Sequence, residues 1–368
     1  LMVGKYNIGI KEFFLAVFTN DKLVEIERSI IINLRLPRTI IAGLTGIALS
    51  ISGLLYQEIF QNKLVSPDLL GVSHGAGAGA AFAIVLGFSS IFISLSAFIF
   101  GVATVFATLL VSKIFRNRSS TILLLSGIIV GGLMQAILSF IKYMANPETQ
   151  LSDITFWLMG SFADSTMQEV NILLPIVLIS VIFLICISWR INVVALGKDE
   201  ALSKGVNYYF YRTVIILIAT LLTATSVAIS GTISWIGLVI PHIVRLIVGK
   251  KTTRTIPLTC TFGGIFMILV DILSRTFTSA EIPLSAVTGL FGTVIFISLL
   301  IMGLIYYVIR SYLENDAMIK ARFLAKEYME EENISSKEEI DKIVRQYDKL
   351  NNVGIKFTNV KLALSVYI

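Results

Sequence analysis

The sequence predicts an all-α, polytopic transmembrane helical bundle, and three observations carry that prediction. Of 368 residues, 55% are hydrophobic and 15% charged, with a mean hydropathy of +0.84. Soluble domains carry nearer a quarter charged residues. The apolar residues gather in runs close to the roughly 20 residues needed to cross a hydrocarbon core. Lysine and arginine concentrate in alternate connections between those runs, as expected where basic loops are retained on the cytoplasmic side. Cys186 and Cys260 both lie inside apolar runs, without the paired spacing of a disulfide framework or a metal site.

Nine candidate spans follow in order: 36–57, 69–87, 91–112, 121–144, 171–189, 213–230, 232–248, 255–274 and 283–309. The first carries Gly43, Gly46, Ser50 and Gly53, the second Gly75, Gly77 and Gly79, and the fourth Gly127 and Gly131. Small residues let helix backbones approach where lipid supplies no hydrophobic drive, so tight packing is expected. Between Ala145 and Val170 the chain is too polar to span, holding Pro147, Glu148, Asp153, Trp157, Asp164 and Glu169. It reads as an outer loop with a short interfacial helix around Trp157. The runs 232–248 and 255–274 are close enough to form a tight hairpin or a broken helix. After Glu314 the sequence becomes charged and helix-forming, and Ser336-Lys337-Glu338-Glu339 fits a capping box opening a further helix. The expected organisation is an outer segment over 1–35, a transmembrane domain over 36–310, and a cytoplasmic tail over 311–368 that is helical or partly disordered.

Charge fixes the orientation. If residue 36 begins outside, the inner connections hold Lys63; Lys113, Arg116 and Arg118; Arg190, Lys198, Lys204 and Arg212; Arg245, Lys250, Lys251 and Arg254; and Arg310. The outer connections hold only Lys142 and Arg275. Residues 1–38 then lie outside despite Lys5, Lys11, Lys22, Arg28, Arg35 and Arg38. An odd number of spans is explained either by a leading span that precedes residue 1 or by a different count across 213–248.

The short charged segment Ala195 to Val206 lies inside and reads as a small helix. Asp199 and Glu200 occupy its first turn, Lys204 its last, and Gly205 is placed to stop it. Helical spacing puts Ala195, Leu202 and Val206 on one face. A solvated loop is the plain alternative; a handle for a soluble partner is the functional one.

Gly71-Val72-Ser73-His74-Gly75 matches a nucleophile elbow, which would make Ser73 a hydrolase nucleophile. That motif needs a preceding strand, whereas here a small-residue helix is expected. No Gly-x-x-x-x-Gly-Lys-Ser/Thr phosphate loop occurs, so the chain has no visible means of hydrolysing ATP. Ionisable residues near the spans are few: Glu58, Lys142, Asp271, Arg275 and Glu281, with His242 after Pro241. That scarcity argues against an ion-coupled carrier. Asp271 and Arg275, four apart, can pair on one helix face. The segment Gly231 to His242 mixes helix breakers with apolar residues, a pattern tolerated at membrane depth where protein or a water-lined cavity satisfies the freed backbone.

Five motifs in order carry a resemblance: Arg35-Leu36-Pro37-Arg38-Thr39; Leu70 to Gly77; Ala195-Leu196-Gly197 with Gly205-Val206; Gly237 to Arg245; and Glu281-Ile282-Pro283. Together, over roughly residues 8–303, they resemble the iron-siderophore and cobalamin ABC importer permease family. The resemblance implies a ten-span subunit pairing as a homodimer or close heterodimer, driven by two cytoplasmic ATP-binding subunits and served by an external substrate-binding protein. It implies no cofactor on this chain, with ATP and Mg used by the partner subunits, no nucleic acid partner, and a cell-membrane location in contact with lipid. It further implies an ATPase-coupling loop comprising Leu196, Gly197, Lys198, Asp199, Glu200, Ala201, Lys204, Gly205 and Val206. Arg35, Arg38 and Arg275 would dock the binding protein. Ser73, His74, Pro241 and His242 become pathway or gate candidates, and the cargo is expected to be an iron-siderophore, with cobalamin or haem as alternatives. The family has one span before the position of residue 1, and residues 314–368 have no counterpart in it.

Overall fold

The structure, a computed structural model, describes residues 6, 8, 9, 13, 25–115, 119–249, 251–278, 281–332 and 336–346. Lys5, Lys11, Lys22, Arg116, Arg118, Lys250 and the expected tail beyond 346 lie outside the described residues. All regular elements among the described residues are helical. Two compact units divide between Gly292 and Thr293.

In the first unit, α1 (Leu36–Phe60) is preceded by a helical lead-in, Glu25–Ser29, and a π-helical turn, Ile30–Arg35. The helical run therefore begins well before residue 36. Arg35 and Arg38, expected on the outer side, are both buried, at 6% and 8% exposure. Then follow α2 (Val72–Val85), α3 (Ser90–Ile114), α4 (Ser120–Met144), α5 (Gln150–Met159) and α6 (Met167–Cys186). Next come α7 (Ser188–Ala195), α8 (Lys198–Ser203), α9 (Tyr208–Ser230), α10 (Ile236–Val248) and α11 (Thr252–Thr276), while α12 (Leu284–Glu331) begins in the first unit and continues into the second. Among the described residues seven helices are long and apolar enough to span, while α2 and α10 are shorter apolar helices. The expected helix around Trp157 is α5.

The shortness of α2 and α10 has a backbone cause. Ahead of α2 the chain runs through a 3-10 turn, Pro67–Leu70, into Gly71 at φ 82°. Ahead of α10, Gly231 at φ 71° and Trp235 at φ 70° hold the backbone out of a helix. Glycine takes that conformation readily; a bulky aromatic does so only when its surroundings impose it. The expected spans 69–87 and 232–248 are thus half-helices with irregular leads.

Burial ranks the helices. In the most apolar stretch of α1 with its lead-in 78% of residues are buried, and in that of α9 67%, against 28% for α3 and α6. α1 is the central post. Ser52 Oγ donates to Ala219 O at 2.9 Å and lies 2.6 Å from Thr223 Oγ1, and Tyr56 OH lies 3.1 Å from Thr220 Oγ1, joining α1 to α9 by polar contacts at small residues. The expected glycine packing is present: Gly46 meets the backbone of Gly263 in α11, Gly53 that of Gly237 in α10, and Gly75 and Gly79 lie on α3.

In the second unit, Ser336 and Glu339 form the expected capping box, with Ser336 Oγ 3.1 Å from Glu339 Oε2, opening a helix over residues 337–346. Lys326 pairs with Asp341 at 3.0 Å and Ile340 is buried. The hydrogen bond from the Lys326 ammonium holds the Asp341 carboxyl below its usual range.

A Cβ on Gly53 would sit 2.6 Å from Gly237 Cα, so neither backbone can yield locally. Gly53→Ala should lower stability by about 1–3 kcal/mol through overpacking. Gly132→Ala, where nothing lies within 4 Å, should not. Thermal unfolding in detergent distinguishes the two.

Candidate functional site

The last turn of α1 gathers three separate segments. Gln57, buried at 3% exposure, donates from Nε2 to the carbonyls of Val65 and Gly237, each at 3.2 Å. Its Oε1 accepts from the Arg245 guanidinium, which also reaches Glu58 Oε1 at 3.4 Å. One turn on, Gln61 closes α1 in the left-handed region at φ 51° and donates from Nε2 to Ala195 O at 2.9 Å. The lead to α2, the first turn of α10 and the charged segment thus hang from one helical turn.

The charged segment folds as α7, a turn at Gly197 with φ 111°, and α8, ended by Gly205 at φ 72°. Asp199 and Glu200 occupy the first turn of α8 as expected, and Lys204 is its C-cap. Ala195, Leu202 and Val206, expected on one face, are not buried together. Ala201 and Val206 face the protein, while Leu196 and Leu202 are 57% and 53% exposed. Helical periodicity cannot run through Gly197, so the face is set by the turns at either end of a six-residue helix. Lys198 lies over the Tyr209 ring at 5.7 Å. The result is a charged knob with two apolar residues on its surface.

Ser73 and His74 open α2 and line a hollow of about 250 Å³. Its other walls are Asp68, one face of α4 (Gln135, Leu138, Lys142), Leu158 at the end of α5, and residues 232–234. Ser73 Oγ donates to Asp68 Oδ1. A 3-10 turn, not a strand, precedes Ser73, so the structural context of a nucleophile elbow is missing. Pro241 is buried and His242 half-buried on α10, and neither lines this hollow.

The three arginines expected to dock a partner lie in or beside an internal charge network. Arg38 Nε reaches Asp271 Oδ1 at 2.7 Å, and its two terminal nitrogens grip Glu281 bidentately at 2.8 and 3.1 Å. Arg275 pairs with the other oxygen of Asp271 at 3.4 Å, the i,i+4 pair expected from spacing. Arg35 donates to Tyr6 O. Ser274 Oγ donates to Ile282 O, and Ile282 N donates back to Ser274 O at 3.0 Å, which fixes Glu281 against α11. Asp271 is 1% exposed and the Glu281 side chain 34%.

Sequence reading missed Gln57, Gln61, Asp68 and Gln135. The available clue was a pair of amides four residues apart at the end of an apolar run, where an uncharged polar side chain needs a protein partner. Asp68 stood at the edge of a supposed span.

Removing one partner of the buried network strands a charge. Asp271→Asn should cost about 3–5 kcal/mol. Glu281→Gln, at a partly exposed carboxylate, should cost distinctly less. Thermal unfolding of the two purified variants gives the comparison.

Known proteins are similar to most of this chain. The sequence profile of the FecCD transport family matches residues 1–302. A molybdate import system permease protein of Haemophilus influenzae is 36% identical over 299 residues, covering 80% of this chain and 89% of that protein. A probable iron chelatin transport system permease protein of Helicobacter pylori is 34% identical, covering 80% and 87%. A vitamin B12 import system permease protein of Citrobacter koseri is 33% identical, covering 73% and 82%. Among solved structures, an inward-facing conformation of a putative metal-chelate type ABC transporter superposes with a TM-score of 0.74 at 35% identity, covering 80% of this chain and 92% of that one. Profile, identity and fold agree: the chain belongs to the FecCD transport family, as a membrane-embedded permease subunit of an ABC importer that is not itself an enzyme.

Proposed function

We propose that this chain forms the pathway of an ATP-driven importer for a metal-bearing solute, with the segment from Leu196 to Val206 received by a separate ATP-binding subunit. Family membership implies two such ATPase subunits and a second permease subunit. The observation that carries the coupling assignment is the last turn of α1. Gln61 holds the charged knob by Ala195 O, while Gln57, four residues earlier, holds Gly237 O and Val65 O. A displacement of the knob therefore acts on the lead to α2 and on the first turn of α10. The exposed Leu196 and Leu202 beside Lys198, Asp199 and Glu200 suit an apolar-centred, charge-rimmed contact.

The same proposal places the chain in the cell membrane with its tail in the cytoplasm, following the positive-inside distribution. ATP and Mg act on the partner subunits. An external substrate-binding protein would dock near Arg35, Arg38 and Arg275. Because Arg38 already grips Glu281, docking there entails exchanging Glu281 for an acid of the incoming protein. The cargo class includes iron-siderophores, corrinoids and metal oxyanions, since relatives named for iron chelatin, vitamin B12 and molybdate are similarly identical to this chain.

Substituting Lys198, Asp199 and Glu200 together by alanine should abolish uptake in cells expressing the complete importer, with membrane insertion retained. Gln61→Ala should lower the solute imported per ATP hydrolysed. Wild-type uptake in the triple variant would sink the coupling assignment.

A further inference from the structure

α3, α4 and α9 line a pocket at the ends that the charge distribution sets on the cytoplasmic side. On each helix a polar residue stands one turn nearer the cytoplasm than an apolar one. Lys113 follows Leu109 at the end of α3, Ser119 precedes Leu123 at the start of α4, and Arg212 precedes Ile216 near the start of α9. All six line the pocket, which is therefore cationic at its mouth and apolar one turn deeper. Two cations are among its walls and no carboxylate is. Lys113 is exposed and has no hydrogen-bond or ion-pair partner among the described residues, while Arg212 is held at 7% exposure. Ser112 and Thr213 commit their hydroxyl protons to Leu109 O at 2.8 Å and Tyr209 O at 2.9 Å. Ser119 instead accepts from Ile122 N at 3.3 Å, which leaves its hydroxyl proton to donate.

The surface around the pocket points to the kind of occupant. Leu110 and Ile114 on α3, Leu125 on α4 and Phe210 on α9 are between 51% and 78% exposed. A soluble anion has no use for so apolar a rim, whereas acyl chains lie along it. Basic pockets between membrane helices on the cytoplasmic side suit anionic lipid headgroups. We propose that this pocket holds the phosphate of an anionic phospholipid of the inner leaflet, with Lys113 and Arg212 as its charge partners and Ser119 as a neutral donor. Leu109, Leu123 and Ile216 then meet the acyl chains. The proposal rests on the orientation taken from charge, and not on the cargo or on the coupling role of the charged knob.

The complete importer, stripped of lipid in detergent, would be titrated with phosphatidylglycerol or phosphatidylcholine and its bound lipids counted by native mass spectrometry. Phosphatidylglycerol is expected to bind in preference, Lys113→Gln to weaken that binding about fivefold, and Lys113→Arg to restore it. Equal binding of the two lipids, or unchanged phosphatidylglycerol binding in the folded Lys113→Gln variant, would overturn the site. Excess inorganic phosphate should leave the lipid in place, because it offers nothing to the apolar wall; displacement would assign a free-phosphate site and overturn the lipid. Amine-reactive labelling of Lys113, mapped by peptide mass, should fall when phosphatidylglycerol is added. Protection already complete in phosphatidylcholine, and lost on removing the ATP-binding subunits, would put a protein contact there and overturn the proposal.

Discussion

The fold depends on one constraint: backbone amides within a bilayer have no water to bond, so every interruption of a helix must be satisfied by protein. Among the described residues the chain breaks its helical framework over residues 61–71 and 231–235, and α1 braces the first break and the helix that follows the second. Gln57 donates to Val65 O within the first break and to Gly237 O in the first turn of α10. Further bonds seal the first break, from Thr108 Oγ1 to Leu70 O at 3.2 Å, and the second, from Thr232 Oγ1 to Leu158 O. The irregular segments are therefore built parts of the bundle, each tied to more than one helix.

Close approach makes those bonds possible. Gly53 and Gly237 bring the α1 and α10 backbones together, and Gly71 brings the first break against Gly131 in α4. Without side chains at these positions the Gln57 amide can span to a carbonyl on the neighbouring segment. Packing and polar satisfaction are consequently one feature, and the helix that carries most of both, α1, is the most buried.

Hydropathy made the long helices legible, because a span is set by length and apolar content alone. The small-residue clusters were legible as contact faces for the same reason. The half-helices were only partly so: the helix breakers of Gly231 to His242 marked an interruption, but 69–87 and 232–248 are long enough to read as spans, and backbone conformation at Gly71, Gly231 and Trp235 shortens them. Nothing in the identity of Trp235 announces φ 70°; its side chain packs against Gly292, a contact distant in sequence. Arg38 misled in the other direction. A charge near a span end reads as a wet boundary, but its carboxylate partners lie more than 230 residues away. The charged knob was legible as a short helix between glycines, but not the separation of exposed Leu202 from buried Val206, because turns and not periodicity orient six residues.

The two ends of α1 are held by different chemistry, and the difference has a mechanical consequence. At one end a buried guanidinium is shared between Asp271 and Glu281, and breaking such a pair costs about 3–5 kcal/mol. At the other the ties to Val65, Gly237 and Ala195 are neutral amide-to-carbonyl bonds worth about 0.5–1.5 kcal/mol each. Arg245 is the charged member there, and it has Glu58 at 3.4 Å as a second acceptor, so it can release Gln57 without being left unpaired. Under the proposed coupling, force applied at the knob would meet the weaker set of bonds first. α1 would then be anchored at its Arg38 end and yield at its Gln57–Gln61 end, where both half-helices are attached.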